Sequence, residues 1–213
     1  MRSFYDIGKN LTDKIYHHRY DRFYPLFLEP LRTTQFNMLE IGILEGGSLK
    51  VWEEYFPKAY IYGVDINSKW VSDRCITYKF DQSNLKDLKE ISKTIPKCKF
   101  IIDDGSHHPQ HQLITFLELF ENLLDEGGIY IIEDVECNYW RPDTSIYGYT
   151  IGHFNIIDYL KSTPDQINNE FSKSKNTLNI STITFAHNCV IITKKTKEEI
   201  EFLSRSYRFE EYL

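Results

Sequence analysis

The chain has 213 residues, a length typical of one α/β domain with a sizeable core. It is 41% hydrophobic and 26% charged, and no apolar run approaches the roughly 20 residues that a membrane-spanning helix needs. The formal net charge of −6 disfavours nonspecific binding to nucleic acid. We therefore expect a single domain over residues 1–213, with no membrane span and no nucleic-acid partner.

The N-terminus and the cysteines indicate the compartment. The start "MRSFYDIGKNLTDKIYHH" is interrupted by Asp, Lys and Asn, where a signal peptide needs a continuous apolar segment. The cysteines at positions 75, 98, 137 and 189 are widely separated and lack the paired spacing of zinc and redox motifs. These features predict reduced thiols in a cytoplasmic protein.

Predicted elements follow one another in an alternating order. Residues 1–35 are predicted to form a helical lead-in, with one helix over "DRFYPLFLEPLR". Apolar runs then alternate with amphipathic stretches, which is the pattern of a parallel sheet with helices on both faces. The predicted strands are 37–43, 59–65, 75–80, 99–103 and 128–133. The predicted helices cover "GGSLKVWEEYF", "NLKDLKEISKTI" and "HQLITFLELFENLL".

The C-terminal third departs from this alternation. Residues 138–152 are rich in aromatic residues, Pro and Gly, which is typical of an active-site loop. Further on, "LNISTITFAHNCVIITKK" predicts two strands joined by a short turn at His187 and Asn188. We expect this antiparallel hairpin to extend the parallel sheet.

The stretch "MLEIGILEGGSLKVW" carries the first chemical signal, because a buried strand leads through glycines into a helix. Gly46 and Gly47 allow the backbone to approach a ligand, and Ser48 is predicted to cap the helix. A tight turn without a ligand is the alternative. The stretch lacks the G-x-G-x-x-G fingerprint, which disfavours a nicotinamide cofactor.

Polar residues also end the next two strands. Asp65 lies about 20 residues beyond the glycines, where a carboxylate can bind both hydroxyls of a ribose. Asp81 and Gln82 follow the third strand and offer an acceptor and an amide to an adenine edge. Each residue alone is equally explained as an exposed loop position. Since ligands bind beyond the carboxyl ends of strands in open α/β sheets, the three together predict an adenosine site.

Two apolar runs, "IIDDG" and "IIEDV", end in paired carboxylates. If their strands are adjacent, like charges meet there, and they persist only when a cation or protons offset them. Oxygen ligands favour a hard divalent cation such as magnesium. The alternative is that one acid of each pair caps a helix while the other is solvated.

The histidines in "GSHHPQH" need separate treatment. His107 and His111 are four apart, a spacing that can hold zinc on one helix, but Pro109 predicts that His107 lies in the loop before the helix. A free imidazole beside a metal-bound hydroxyl is better suited as a base than as a ligand. We therefore expect His107 to be the base, and His108 and His111 to be ordinary polar residues of the helix start.

Taken together, these blocks resemble the S-adenosylmethionine-dependent methyltransferases, and most specifically the metal-dependent sugar O-methyltransferases that modify macrolide and rhamnosyl antibiotics. The resemblance is carried by "LEIGILEGGSLKVWEEYF", "IYGVDI", "DQSN", "IIDDGSHH" and "GGIYIIEDVECNYW". It implies a Rossmann-like, mostly parallel sheet of seven strands that ends in an antiparallel hairpin. The catalytic core is then expected over residues 36–213.

The resemblance also implies roles for individual residues. Magnesium would be held by Asp104, Glu133 and Asp134, with His107 as general base. S-adenosylmethionine would be bound by six residues: Glu40 and Gly42 near its methionine end, Asp65 at its ribose, Asp81 and Gln82 near its adenine, and Asp103.

The implied reaction is methyl transfer to a sugar hydroxyl of a glycan or glycoside whose oxygens bind the metal. A phenolic or other small-molecule acceptor is one alternative, and a nicotinamide-binding Rossmann protein is another. The chain is expected to hold only the catalytic domain, which leaves the acceptor and assembly into a homo-oligomer open.

Two further segments each have two interpretations. In the lead-in, Lys14, His17 and Tyr20 either fold over the cofactor or belong to an amphipathic packing helix. In the aromatic loop, four side chains either stack on sugar faces, close the site as a lid, or form core or subunit contacts: Tyr139, Trp140, Tyr147 and Tyr149.

Overall fold

The computed structural model describes residues 1–67, 69–175 and 178–206. The strands in these ranges are β1 Asn37–Ile41, β2 Tyr60–Asp65, β3 Cys75–Lys79, β4 Cys98–Asp103, β5 Leu124–Glu133, β6 Ser145–Ile146, β7 Tyr149–Thr150, β8 Ile180–Ala186 and β9 Cys189–Lys194. The predicted domain extends to residue 213, and its positions 207–213 lie outside the described residues, so the single-domain assignment stays a prediction.

Helices occupy most of the connections between the strands. The α-helices are α1 Phe4–Gly8, α2 Asp13–Tyr16, α3 Tyr24–Leu28, α4 Gly47–Tyr55, α5 Leu85–Thr94, α6 Pro109–Asn122, α7 Ile156–Lys161, α8 Pro164–Ile167, α9 Asn169–Ser172 and α10 Lys197–Ser206. Short 3₁₀ segments cover Tyr20–Arg22, Glu29–Leu31 and Val135–Tyr139. No helix within the described ranges has both the length and the apolar character that a bilayer crossing requires.

Seven strands form one sheet in the order β3-β2-β1-β4-β5-β9-β8. The first five in chain order pair in parallel, whereas β9 is antiparallel to both β5 and β8. The turn at His187 and Asn188 joins β8 to β9, as the sequence predicts. This is the expected Rossmann-like sheet with a C-terminal hairpin, and its strand order reverses between β1 and β4, where such folds bind ligands.

The central strands are buried on both faces, which explains their continuous apolar runs. In β4, Phe100 and Ile102 belong to one hydrophobic cluster with Trp52 of α4. Ile101 points the other way and joins the cluster that contains Phe116 of α6. Burying each such side chain contributes roughly 1.5–3 kcal/mol, which fixes the register of the strand and hence the position of the residues at its end.

The lead-in is not the continuous helix that the sequence predicts over 21–32. Two 3₁₀ segments flank the short helix α3, and a proline stands in the first turn of α3 and of the second 3₁₀ segment, at Pro25 and Pro30. Because proline lacks an amide hydrogen and clashes with the preceding turn, Pro30 ends α3. The prediction of one helix is therefore wrong, although the two prolines in the sequence already indicate an interruption.

Strand β1 ends at Ile41, two residues before the predicted boundary. Gly42 leaves the strand with φ +79°, and a Cβ at this position would collide with the backbone carbonyl of Asp104. Only glycine combines this φ with so close an approach of two chain segments. The turn after β1 is thus packed directly on the loop after β4.

Candidate functional site

The predicted site residues lie at one edge of the sheet. Gly42 follows β1, Asp65 ends β2, Asp81 follows β3, Asp104 follows β4 and Asp134 follows β5. Because these strands are parallel, their carboxyl ends share an edge. The residues there divide into two neighbouring groups, an open cavity and a cluster of acids.

The first group surrounds a cavity of about 590 Å³ at the ends of β1, β2 and β3, which we call the strand-end cavity. Its lining includes four of the six residues predicted to bind the cofactor: Gly42, Asp65, Asp81 and Gln82. Apolar side chains such as Val64 and Phe80 complete it. A volume of this size, apolar with a few polar groups, is typical of small-molecule sites.

Asp65 both faces the cavity and holds the turn that follows β1. Its Oδ2 accepts hydrogen bonds from the amides of Ile43 at 3.0 Å and Leu44 at 3.3 Å, and its Oδ1 accepts from the amide of Asn67 at 2.8 Å. The carboxylate therefore has a fixed orientation before any ligand binds.

Gln82 links the end of β3 to the loop after β4. Its amide nitrogen donates to both oxygens of Asp103, at 2.7 and 2.9 Å, and its Oε1 accepts from the amide of Ser106 at 2.8 Å. Asp103 is fully buried and is not part of the cavity lining. Burial raises the pKa of Asp103 to about 7, although the hydrogen bond from Gln82 opposes this shift. These contacts indicate a supporting position for Asp103 behind the cavity.

Glu40 is also fully buried and away from the cavity lining. Its Oε2 accepts hydrogen bonds from Ser48 Oγ at 2.8 Å and Trp52 Nε1 at 3.2 Å. Burial raises the pKa of Glu40. The predicted cap role of Ser48 is wrong, because the N-cap of α4 is Gly46, in the left-handed conformation, and the Ser48 hydroxyl is bound to Glu40 instead.

The second group is the acid cluster, formed by Glu40, Asp104, Glu133 and Asp134. A lysine from the lead-in enters it: the ammonium of Lys14 contacts Asp104 Oδ2, Glu133 Oε2 at 2.7 Å and Glu40 Oε1 at 3.3 Å. The Lys14 side chain is only 1% exposed. Burial alone would lower the pKa of Lys14, but the three carboxylates raise it well above its ordinary value.

Two tyrosines from the lead-in bind the remaining acids. Tyr24 donates to Glu133 Oε1, so that both oxygens of this buried carboxylate are engaged. Burial, together with the charge of Asp104, raises the pKa of Glu133. Tyr20 donates to Asp134 Oδ1 at 2.8 Å, and Asn188 Nδ2 donates to the same oxygen at 3.0 Å. The lead-in is therefore one wall of the site.

His107 stands between Asp104 and Asp134. Its Nδ1 lies 4.0 Å from Asp104 Oδ1, and its Nε2 lies 3.7 Å from Asp134 Oδ2. Both His107 (φ +55°) and Asp134 (φ +51°) adopt the left-handed conformation. Such backbone strain costs roughly 1–3 kcal/mol per residue and is concentrated at functional sites.

The carboxylates of Asp104 and Asp134 fit a hard divalent cation, and His107 lies beside them. Asp104, His107 and Asp134 form the group of potential metal ligands found among the described residues, with one ligand atom of each within 4.8 Å of the others. The buried Nδ1 of His107 has no hydrogen-bond partner among the residues that the structure describes. Carboxylate oxygens are the ligands such ions prefer. Glu133, the third predicted ligand, lies outside this group, and its oxygens contact Lys14 and Tyr24.

The other two histidines lie at the start of α6. His108 is its N-cap, Pro109 is its first residue as the sequence predicts, and His111 is in its first turn. His111 is more than an ordinary polar residue, because it lines the strand-end cavity and its Nδ1 lies 2.9 Å from Ser106 Oγ. Burial lowers the pKa of His111 to about 4. Its ring packs against Tyr149 with 4.6 Å between centroids.

The aromatic loop contributes side chains to two cavities. Its β6–β7 ribbon brings Tyr147 and Tyr149 to the rim of the strand-end cavity, where the Tyr149 hydroxyl lies 3.1 Å from Ser83 Oγ. Tyr139 lies elsewhere, in a second cavity of about 460 Å³ that also contains His17. The two ribbon tyrosines thus lie at the cavity rim, and their action as a lid stays a prediction, while Trp140 is 46% exposed.

Lys14, His17 and Tyr20 do not line the strand-end cavity, and their contact with a cofactor stays a prediction. The roles of Tyr24 and Asn188 were missed at the level of the sequence. Tyr20 and Tyr24 are four residues apart, which is a signal for a shared helical face, but nothing local indicates that this face meets acids more than 100 residues away.

Several known proteins are similar to this chain in sequence or in fold. No family model matches the chain. The chain is 35% identical over 145 residues to 8-demethyl-8-α-L-rhamnosyl tetracenomycin-C 2′-O-methyltransferase of Streptomyces olivaceus, covering 64% of this chain and 38% of that protein. It is also 35% identical over 132 residues to mycinamicin VI 2″-O-methyltransferase of Micromonospora griseorubida, covering 58% and 33%.

Among solved structures, the chain is similar to the MycE methyltransferase of the mycinamycin biosynthetic pathway, in complex with Mg, SAH and mycinamycin VI. The TM-score is 0.82 with 28% sequence identity, over 93% of this chain and 55% of MycE. The chain thus spans between a third and somewhat over half of the length of these proteins. It has the Rossmann-like methyltransferase fold, and its homologues are the O-methyltransferases of macrolide and tetracenomycin sugars.

Proposed function

We propose that this chain transfers the methyl group of S-adenosylmethionine to a sugar hydroxyl of a glycan or glycoside. The observation that carries the proposal is the adjacency of the strand-end cavity, with Asp65 and Asp81 in its lining, to the group of Asp104, His107 and Asp134. The name of the tetracenomycin relative, which specifies a rhamnosyl acceptor and methylation at the 2′ oxygen, supports the acceptor class.

The strand-end cavity is the proposed site of the methyl donor. Asp65 would accept hydrogen bonds from the ribose hydroxyls, since its oxygens already lie at the cavity with a fixed orientation. Asp81 and the apolar Phe80 would border the adenine, and Gly42 would lie at the methionine end. In this arrangement Gln82 and Asp103 support the cavity by holding the 103–106 loop.

The acid cluster is the proposed site of magnesium or another hard divalent cation, held by Asp104 and Asp134. Glu133 would join them by exchanging its bond to Lys14. Such an ion, when bound, supplies Lewis-acid chemistry that makes the acceptor hydroxyl more acidic.

His107 is the proposed general base. Its Nε2 would accept the hydroxyl proton, and the carboxylate of Asp134, 3.7 Å away, would stabilise the imidazolium that forms. The deprotonated oxygen then attacks the sulfonium methyl carbon, the carbon–sulfur bond breaks, and the electron pair of that bond stays on sulfur. The products are a methyl ether and S-adenosylhomocysteine. The protein contributes chiefly the alignment of the two reactants.

We place this reaction in the cytoplasm. All four cysteines are free thiols in buried positions, which agrees with a reducing compartment. Burial raises the pKa of each thiol, to about 11 for Cys137, so these thiols are unreactive. A homo-oligomer and the absence of a nucleic-acid partner stay predictions.

The test is methyl transfer from labelled S-adenosylmethionine by the full chain. Acceptors would be p-nitrophenyl α-L-rhamnopyranoside and catechol, each with magnesium or with EDTA. We expect label on the rhamnoside, with loss of transfer in EDTA and recovery on adding excess magnesium. Preferential labelling of catechol would overturn the sugar assignment, and transfer that continues in EDTA after the protein has been stripped of metal would overturn the cation.

A further inference from the structure

Lys14 occupies the centre of the acid cluster, although it belongs to a helix of the lead-in. We propose that Lys14 is a positioning residue that ties Glu40 to the Asp104 and Glu133 pair, and that its ammonium weakens the binding of a divalent cation at this cluster. This inference rests on the proposed function, because it concerns the affinity of the same site for its cation.

The contacts of Lys14 join three separate parts of the sheet edge. Glu40 belongs to β1, Asp104 follows β4, and Glu133 ends β5. The Lys14 ammonium donates hydrogen bonds to Asp104 and Glu133, and it forms an ion pair with Glu40 at 3.3 Å. One side chain from outside the sheet therefore contacts three acids at this edge.

The segment that carries Lys14 is itself fixed to the protein. Thr12 caps α2 by accepting from the Lys14 amide at 3.4 Å, and Ile15 is fully buried. Leu11 packs its backbone carbonyl against Gly47, where a Cβ would collide with it. Lys14 thus enters the cluster from a docked segment, and its ammonium has a defined place.

The position of the Lys14 ammonium directly affects cation binding. Asp104 presents Oδ2 to Lys14, whereas its Oδ1 faces His107 in the potential metal group. A divalent cation must therefore either share Asp104 with a neighbouring positive charge or displace that charge from Asp104. Both cases weaken binding, since two like charges a few ångströms apart repel strongly in a partly buried site.

A purely structural role of Lys14 and a competing charge predict opposite changes in cation affinity when the lysine is removed. If Lys14 only held the acids in place, its removal would leave a disordered cluster that binds cations more weakly. If its charge competes with the cation, its removal leaves a more negative cluster that binds cations more tightly. The direction of the change in cation affinity thus separates the two roles.

The experiment is a titration of the full chain with Mn²⁺ alone, in which electron paramagnetic resonance measures the free ion. We expect Lys14→Met to lower the Kd at least about tenfold, given the size of a single-charge interaction at this range. Lys14→Arg, which keeps the charge, should stay close to wild type. The matched control is Lys9→Met, because Lys9 is an exposed lysine of the same segment, paired with Asp6 at 3.5 Å.

The second part of the experiment locates the bound Mn²⁺. Adding Asp104→Asn to Lys14→Met should abolish the tight binding, and unchanged binding in this double variant would overturn the inference. If Lys14→Met does not fold, as near-ultraviolet circular dichroism would show, Lys14→Gln replaces it, because glutamine removes the charge and its amide can still donate hydrogen bonds to the acids. It should also bind Mn²⁺ about tenfold more tightly than wild type.

The outcomes separate the two proposals. If wild type binds Mn²⁺ and neither Lys14 variant binds it more tightly, the role of Lys14 is overturned and the proposed function stands. If no variant binds Mn²⁺, the cation part of the proposed function fails, and the inference about Lys14 fails with it.

Discussion

The strand-end cavity and the acid cluster share one edge of the sheet but use it differently. In the cavity, Asp65 and Asp81 face an open volume of about 590 Å³. In the cluster, side chains of the lead-in fill the space, with Lys14 and Tyr24 holding both oxygens of Glu133. The cavity is therefore shaped for a ligand of some size, whereas the cluster is a packed group of four acids that Lys14 only partly neutralises.

The two regions are also covered by different segments. The cluster is covered by the lead-in, through Lys14, Tyr20 and Tyr24. The cavity is bordered by the β6–β7 ribbon, through Tyr147 and Tyr149. If this division reflects function, substitutions in the cluster should affect the chemical step and substitutions in the cavity should affect binding of the methyl donor.

The sharpest test of this division is Asp104→Asn. We expect methyl transfer to fall by about 10²–10³-fold, because the cation loses a charged ligand and His107 loses a neighbouring carboxylate. Affinity for S-adenosylhomocysteine, measured by calorimetry, should stay close to wild type. The matched control is Asp125→Asn, an exposed carboxylate near the start of β5. A loss of cofactor affinity as large as the loss of rate would contradict the division.

For Asp65→Asn we expect a loss of cofactor affinity with unchanged cation binding. Its carboxylate faces the cavity and also holds the amides of Ile43 and Leu44. Loss of the charged acceptor should weaken S-adenosylhomocysteine binding about 10–100-fold. The same protein should bind Mn²⁺ as wild type does, and Asp73→Asn, at an exposed loop position, should change neither property. Weaker Mn²⁺ binding by Asp65→Asn would show that the strand-end cavity and the acid cluster act as a single site.

The sequence predicted the cavity side of this comparison better than the cluster side. Buried strands appear as apolar runs because both faces of the sheet are covered, as Phe100 and Ile101 show on opposite faces. Once the strands are located, parallel pairing alone brings their last residues to one edge. Asp65, Asp81 and Asp104 could therefore be placed together from a single chain.

The partners of the acids could not be predicted in this way. Lys14 lies 90 residues from Asp104 and 119 from Glu133, and its immediate neighbours, Asp13 and Ile15, resemble those of any amphipathic helix. Local patterns report burial and turns, but not which distant group a buried charge meets. Gln82 is a similar case, because it lines the cavity as expected but its amide also donates to Asp103, a contact that no local pattern indicates.

A smaller effect is expected at the rim of the cavity. Tyr149→Ala should weaken S-adenosylhomocysteine binding about 3–10-fold, because its ring packs on His111 and borders the cavity. Tyr149→Phe keeps the ring and loses only the hydroxyl near Ser83, and should retain most of the affinity. Tyr60→Ala, at an exposed position at the amino end of β2, is the control. Equal losses in the Ala and Phe variants would assign the effect to the hydroxyl.

The smallest expected effect is a dependence of stability on pH that arises from His111 at the same rim. Burial lowers the pKa of His111 to about 4 in the folded protein, whereas an unfolded chain has a value of about 6.5. The unfolded state therefore takes up a proton first as the pH falls. The stability due to neutral His111 is fully present above about pH 6.5 and is lost progressively down to about pH 4.

Comparison with His111→Gln isolates this contribution, because glutamine can still bond to Ser106 but does not ionise in this range. Asp103 acts in the opposite direction over much of the same window, since its pKa of about 7 means that the folded protein takes up a proton first. The wild-type curve alone is thus a sum of opposing slopes. We expect urea unfolding between pH 7 and 4.5 to show that wild type loses about 1–2 kcal/mol relative to His111→Gln, after allowance for solvent screening at the cavity rim. Parallel curves for the two proteins would mean that His111 ionises as freely in the folded chain as in the unfolded one, and that the packing of Tyr149 does not exclude its charged form.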